Sequence, residues 1–287
     1  MSRPLIVVLK NENNLMNMRS RQLLAILGGV LTVVSASATE RYFTYSYEPE
    51  TMPRGGWEVE QWATLLAGRN AAAGQEDFQQ WEIRHALEYG VTDNYTTEIY
   101  VNEDYTHFHD PGTGMTTSDW TFKGISVENR YLVLNPAEHA VGLTLYVEPR
   151  YSGTEAEMEE KIILGQRHGD WKWALNLTHA TEWRGHFQST EGEAELSLGI
   201  ARDLNKHWAL GLEARDHNEL PDYHNWENTA VYVGPTVSYR RESWWAALSV
   251  LPQVYGGNFL GNPDGNPHLD LQGHERVNVR LIFGVQF

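Results

Sequence analysis

The chain of 287 residues contains no cysteine. Disulfides and thiolate metal sites are therefore excluded. Positive charge is scarce: 22 Lys and Arg stand against 38 Asp and Glu, a formal net charge of −16. That balance argues against a general nucleic-acid binder, and no nucleic-acid partner is expected. Beyond residue 38 no apolar run approaches the roughly 20 residues of a membrane-crossing helix, and mean hydropathy is negative. These absences exclude α-helical spans but not strands. A barrel strand turns only alternate residues to lipid, so its mean hydropathy stays low.

Aromatics, by contrast, are plentiful. Eleven Trp and fourteen Tyr are many for so polar a chain, and membrane interfaces are one place that accommodates them. The final stretch, 275–287, shows the organising pattern. Val277, Val279, Leu281, Phe283, Val285 and Phe287 alternate with Arg276, Asn278, Arg280, Ile282, Gly284 and Gln286. One face is continuously apolar and the other mostly polar, which is a strand with different solvents on its two sides. A strand of this length ending in Phe is what a bacterial outer-membrane β-barrel presents.

At the other end, Arg19 and Arg21 precede the apolar run 23–34, followed by Ala36-Ser37-Ala38. A basic region, a short apolar region and an A-x-A site predict a signal peptide over 1–38. A membrane-anchor helix is the alternative, and Met16 and Met18 are alternative starts. The segment carries Arg3, Lys10, Arg19 and Arg21 against Glu12, so its removal makes the mature chain more acidic. Residues 39–55, with Tyr42, Phe43, Tyr45, Tyr47 and Pro53, read as a periplasmic N-terminal segment or a partial plug.

From 56 to 287 the chain reads as one barrel domain. Alternating segments fall at about 56–67, 78–89, 95–105, 121–134, 141–151, 157–167, 171–184, 192–202, 207–215, 229–240, 244–254 and 275–287. The seventh is the cleanest and the sixth the least clear. Lengths sit near the roughly 9–11 residues that cross a bilayer at a tilt. Short turns alternate with longer polar loops, and an even count of twelve leaves both termini on the periplasmic side. The fold class is all-β: a closed antiparallel transmembrane β-barrel of about twelve strands in an up-and-down meander.

On the apolar face near the short turns fall Trp57, Tyr89, Tyr95, Tyr131, Trp171, Trp208, Tyr239, Trp244 and Phe287, an aromatic girdle at one membrane interface. A sparser set, Trp81, Tyr105 and Trp183, marks the other end. Gln61 and His85 fall on the lipid face by parity. Pro149, Pro235 and Pro252 sit within strands, where bulges or shifted ends are expected.

The inward face is charged. Its acidic candidates are Glu58, Glu60, Glu82, Glu88, Glu98, Glu128, Glu148, Glu182, Glu193, Glu195 and Glu213. Its basic candidates are Arg84, Arg130, Arg150, Lys172, Arg184, Arg215, Arg276 and Arg280. Such residues can line a pore and set its selectivity, or fill a narrow barrel with ion pairs. Eight strands give a filled interior and about sixteen an aqueous channel, so twelve leaves both readings open. If the lumen is open, the acidic excess favours cations.

His107-Phe108-His109-Asp110 has the residue types of a transition-metal site, but a polar loop with solvated histidines is the simpler account, so no metal or cofactor is expected. Asp216, Glu219, Asp222, Asp264 and Asp270 are loop acids that serve solubility or bridge cations to lipopolysaccharide. Ser152, Ser189, Ser243 and Ser249 lack a nucleophile signature, and paired carboxylates such as Glu193 and Glu195 arise on any polar strand face. No catalytic residue is assigned and the chain is read as a non-enzyme, with a barrel lipase or protease as the lesser alternative.

Two stretches carry a family resemblance: Glu50-Thr51-Met52-Pro53-Arg54-Gly55-Gly56-Trp57-Glu58-Val59-Glu60-Gln61-Trp62 and Leu87-Glu88-Tyr89-Gly90-Val91-Thr92-Asp93-Asn94. With the terminal aromatic, they resemble outer-membrane barrels of the phenol-degradation-pathway (MetA-type) group. The chain is read as a porin-like barrel of the Gram-negative outer membrane that passes small polar or aromatic molecules, and the resemblance implies a signal-bearing barrel that passes small molecules. It also implies that the barrel assembly machinery meets the C-terminal strand, and it brings no catalytic residues. The expected partners are outer-membrane lipid, lipopolysaccharide, that machinery and an unnamed small solute. A closed structural or adhesive barrel acting through its loops is the alternative. Arg276 and Arg280 are expected to face Glu58 and Glu60 where the barrel closes.

Overall fold

A computed structural model of the protein describes residues 41–70, 74–223, 225–260 and 268–287. The expected signal peptide (1–38), residues 39 and 40, and Asp264 lie outside the described residues. Twelve strands follow one another: β1 (Trp57–Ala67), β2 (Glu76–Thr92), β3 (Tyr95–Asp110), β4 (Met115–Leu134), β5 (Gly142–Tyr151), β6 (Ala156–His168), β7 (Trp171–Arg184), β8 (Ser189–Asp203), β9 (Trp208–Leu220), β10 (Asn228–Arg240), β11 (Trp244–Asn258) and β12 (Val277–Gln286). Each pairs antiparallel with its chain neighbours, and β1 closes on β12 to complete the barrel.

Period-two alternation sorts the side chains. Val59, Leu87, Ile99, Leu145, Ile162, Leu177, Leu198 and Leu210 stand exposed on the outside. The residues between them are buried inside, as in the pattern of β1, where Glu58, Glu60, Trp62 and Thr64 are all covered. An apolar band running right round a chain is far larger than the patches soluble proteins expose.

One expected loop is mostly strand and another is partly so. β3 and β4 run on past the apolar band and meet at 111–114, taking in most of 106–119, and β9 continues to Leu220. Ladder hydrogen bonds need no apolar face, so these polar extensions hold the sheet beyond the band. Pro235 and Pro252 fall in a gap of the β10–β11 ladder, between Tyr232↔Gln253 and Thr236↔Ser249, beside a bulge at Val231/Tyr232. Each keeps its place on its other seam, opposite Leu212 and Val277. Pro149 lies at an interruption between Ser126↔Arg150 and Asn129↔Val147. A residue with no N–H is tolerated where the ladder is already broken. Gln61 and His85 face each other across β1 and β2. The Gln61 amide donates to the carbonyls of Trp62 and Arg84, so it is satisfied within the sheet.

The barrel is not hollow. Residues 41–49, expected as a periplasmic segment or partial plug, are all buried. They lie against the inward faces of the strands, which corrects the periplasmic placement. The physical reason is their aromatic content: Tyr42, Phe43, Tyr45 and Tyr47 each find an apolar niche on the inner wall.

Candidate functional site

The internal segment is held chiefly by its main chain. The Glu213 carboxylate on β9 accepts the N–H groups of Thr44, Tyr45 and Ser46 at 3.1, 2.8 and 2.6 Å, and the Thr44 hydroxyl at 3.1 Å. Asn176 on β7 brackets Tyr47, accepting its N–H at 2.6 Å and donating to its carbonyl at 2.9 Å. Thr236 donates to the Tyr42 carbonyl, and Thr96 accepts the Met52 N–H. Within the segment, Glu48 accepts the Tyr42 N–H, and Lys172 reaches Glu50 at 2.5 Å. These bonds satisfy backbone groups that no sheet or helix pairs.

The side chains then divide the lumen into three clusters. Tyr47 packs with Trp62, Tyr100, Tyr146, Ile163 and Trp245. Tyr42 and Phe43 sit over Ala174, Ala201 and Ala209. Tyr45 joins Tyr232 and Leu251. Gly199 makes room for Phe43: a Cβ there would lie 2.5 Å from the ring. Gly165 and Gly142 do the same for Pro49, each at 2.7 Å. The Arg280 guanidinium stacks 3.8 Å from the Tyr45 ring centre, and Arg41 lies 3.9 Å from that of Tyr47. Burial pushes the Glu48 carboxyl up to about 7, against the opposing pull of Lys172 and Arg41.

Fifteen of the nineteen expected inward charges fall into three groups. Glu58, Glu60, Glu88, Glu98, Glu128, Arg130, Lys172 and Glu213 are buried in the half nearest the short turns. Arg130 is the hub there, ion-paired to Glu88, to Glu128 at 2.6 Å and to Glu98 at 3.8 Å. Glu82, Arg84, Glu148, Arg150, Arg215 and Arg280 line a cavity of about 360 Å³ in the half nearest the longer loops. Nine carboxylates and six cations surround that cavity. Arg84 pairs with Glu148, and Arg150 with Glu157. Arg276 belongs to neither group. It precedes β12 and is exposed.

The expected pairing at the seam is also corrected. Antiparallel register puts Glu58 opposite Gln286 and Glu60 opposite Gly284, while Arg280 stands opposite Thr64. Arg280 bonds the Thr64 hydroxyl at 2.8 Å and lies 3.6 Å from Glu82. β1 and β12 run in opposite directions, so the end of β12, not its middle, meets the first residues of β1.

The expected girdle residues lie outside, at the short-turn end. Trp57 and Tyr89 have ring centres 4.4 Å apart, Trp208 and Tyr239 4.6 Å, and Tyr239 and Trp244 5.0 Å. Tyr95 stands opposite Tyr131, and Tyr131, Trp171 and Phe287 are exposed. At the loop end Tyr105 pairs with Trp120, one residue before the expected fourth segment, at 5.2 Å.

His107 and His109 bond Ser118 and Thr116 across the β3–β4 ladder, and Asp110 caps the turn through Gly112 and Thr113. The three are not gathered on one ion site. The loop acids are dispersed as well: Asp216 takes Thr229, Asp222 takes Asn225, and Asp270 is buried. Among the described residues, Ser249 bonds Thr44 and Ser152 bonds Glu155, and no side-chain bond joins Ser189 or Ser243 to a histidine.

Sequence reasoning missed a cluster in the cavity wall formed by His217, Glu219 and His274. His217 and Glu219 continue the inward set Glu213 and Arg215 of β9. Neither was read as inward-facing, because that strand was expected to end at 215, and Glu219 was read as a loop acid. His274 lies in the segment that folds in before β12, and no local pattern marks it.

A closed twelve-stranded barrel with an apolar exterior and a segment of its own chain in the lumen is a porin-like fold. The chain belongs to DUF6662, a family of unknown function, whose model matches residues 35–164 and 163–287. That description names no degradation pathway. No curated protein was found to match the chain. Among solved structures, the COG4313 outer membrane channel from Pseudomonas putida F1 is similar at 12% identity and a TM-score of 0.58, covering 85% of this chain and 100% of that one. The KdgM porin aligns at 9% identity and a TM-score of 0.48, over 80% and 99% of the two chains. The NanC porin aligns at 10% and 0.48, over 80% and 98%.

Proposed function

We propose that this protein is a channel of the Gram-negative outer membrane, closed in its resting form by its own N-terminal segment. It would admit small polar or aromatic molecules, cations ahead of anions, from the loop side. The observation that carries this reading is the way the N-terminal segment is held. Arg215 and Arg280, which line the charged vestibule, rest on its Tyr45 ring, and main-chain hydrogen bonds and aromatic niches attach it to the inner wall. Such a plug is removable without breaking the barrel ladder. The apolar band and its aromatic rims support a membrane setting, with the short turns on the periplasmic side.

The deciding experiment is planar-bilayer conductance of folded barrel with and without residues 41–53. The full chain should give rare, small events, and the deletion frequent, larger ones with cation preference. A deletion variant that retains heat-modifiable migration yet conducts no better than the full chain would sink the channel reading.

A second reading has its own observation. Arg130 and its carboxylates, with Trp62, Tyr100, Tyr146 and Trp245, occupy the short-turn half even apart from the segment. A closed structural or adhesive barrel acting through its loops is the alternative that the same measurement would then favour.

A further inference from the structure

The cavity wall contains an arrangement that the channel reading does not use. His217 and Glu219 lie two residues apart on β9, both facing inward, and His274 comes from the segment before β12. One donor atom from each lies within 4.8 Å of the others. The two imidazoles are perpendicular, with ring centres 5.4 Å apart. Two imidazoles bound to one tetrahedral ion, at roughly 2.1 Å per bond, put their ring centres about 5 Å apart. The observed spacing therefore needs only small side-chain rotations to close on an ion.

The surrounding bonds are those of an outer ligand shell. Glu195 holds Nδ1 of His217 at 3.2 Å, which orients the ring and leaves Nε2 facing Glu193 at 4.0 Å. Asn228 takes both other members: its Oδ1 meets Nε2 of His274 at 2.7 Å and its Nδ2 donates to Oε2 of Glu219 at 2.6 Å. Each ligand thus keeps one donor atom beyond its orienting bond. Carboxylate–imidazole and amide–carboxylate pairs of this kind fix metal ligands in register. The net acidity of the cavity supplies the charge a dication needs. Two neutral imidazoles with one carboxylate favour Zn²⁺, Cu²⁺ or Ni²⁺ over Ca²⁺ and Mg²⁺, which take oxygen ligands.

We propose that His217, Glu219 and His274 form a site for a divalent transition-metal ion on the loop side of the plug, with Glu193 as the nearest further ligand. The ion bridges β9 to the segment before β12 and so ties that segment across the vestibule. The site does not depend on the channel reading, because it would bind metal in an open or a closed barrel.

The test uses the full chain, folded in detergent and stripped with a chelator. Zn²⁺ binding is followed by calorimetry, and Co²⁺ by the visible absorption of a tetrahedral N/O site. Wild type should bind one equivalent. His217→Gln and His274→Gln should each weaken binding at least about 100-fold, and Glu195→Gln, which keeps every ligand, about 10- to 100-fold. The double variant His107→Gln/His109→Gln should bind as wild type does. Heat-modifiable migration checks the fold of each variant, and Glu219→Gln is the gentler alternative if a histidine variant misfolds. Absence of a stoichiometric site in wild type, or equal binding by folded His217→Gln and His274→Gln, overturns the proposal. So does loss of binding on removal of His107 and His109.

Discussion

The two halves of the lumen use the same residue types for opposite ends. Near the short turns, Arg130 is 7% exposed and touches three carboxylates, and bulky rings fill the space between them. Near the loops, Arg84 and Arg150 are 23% and 21% exposed and edge a cavity. Both sets came from one alternation rule along the same strands. What separates them is the company they keep: Trp62, Tyr100, Tyr146 and Trp245 below, joined by the N-terminal segment, and long flexible Glu, Arg and Lys above. Parity decides that a side chain points inward. Neighbouring volume decides whether it becomes filler or lining.

The comparison breaks most sharply at Arg130. Replacing it with Ala leaves Glu88, Glu98 and Glu128 buried without their cation, and should cost about 3–5 kcal/mol. The same change at Arg150 should cost under about 1 kcal/mol, because its partners reach solvent. Urea midpoints of the two folded variants measure the contrast, and equal midpoints would erase the distinction between the halves.

A step smaller is Glu213→Gln. The amide keeps one acceptor oxygen and loses the charge, so at least one of the three backbone N–H groups goes unmatched at a cost of about 1–3 kcal/mol. Open-channel time should rise about tenfold or more while the unfolding midpoint of the barrel stays near wild type. A fall in midpoint with no change in conductance would make Glu213 a stabiliser of the wall and not a holder of the plug.

The pH response follows from Glu48. Its docked carboxyl is raised to about 7 by burial, with Lys172 and Arg41 opposing and Glu50 reinforcing, while a solvated Glu titrates near ~4.3. The docked form therefore binds the proton more tightly. Docking is strongest below the solvated value and weakens as pH rises to 7, by at most about tenfold per unit for one proton. Conductance should increase between pH 5 and pH 8, and Glu48→Gln should flatten that rise. A wild-type profile that falls with pH contradicts the assignment.

The smallest effect belongs to the vestibule. Glu82→Gln should change cation preference by a few-fold and stability by under about 0.5 kcal/mol, read from reversal potentials and urea midpoints. A large stability loss there would mean the loop half is packed after all.

The strands were legible because a half-lipid, half-polar wall forces period two over their whole length. Their ends were not. His107, His109, His217 and Glu219 lie on ladder extensions whose two faces are both polar, and no hydropathy switch marks where such a strand stops. The aromatic richness of 42–47 was visible, but its location was not. The groups that fix it, Glu213, Asn176 and Thr236, are single polar residues on different strands, indistinguishable in sequence from ordinary lumen lining. The register error at Arg280 has the same origin: parity assigns a face but not a height.

Apart from the Thr44 hydroxyl, Glu213 and Asn176 hold residues 44–47 through their backbone. The barrel is in that sense a peptide receptor that carries its ligand on a tether. A tethered ligand competes at an effective concentration of roughly millimolar. Any extended segment that presents N–H groups at the same spacing is a rival for the groove, and wins only above that concentration or once the tether is cut. Occupancy of the lumen is then a matter of linker length and proteolysis as much as of chemistry.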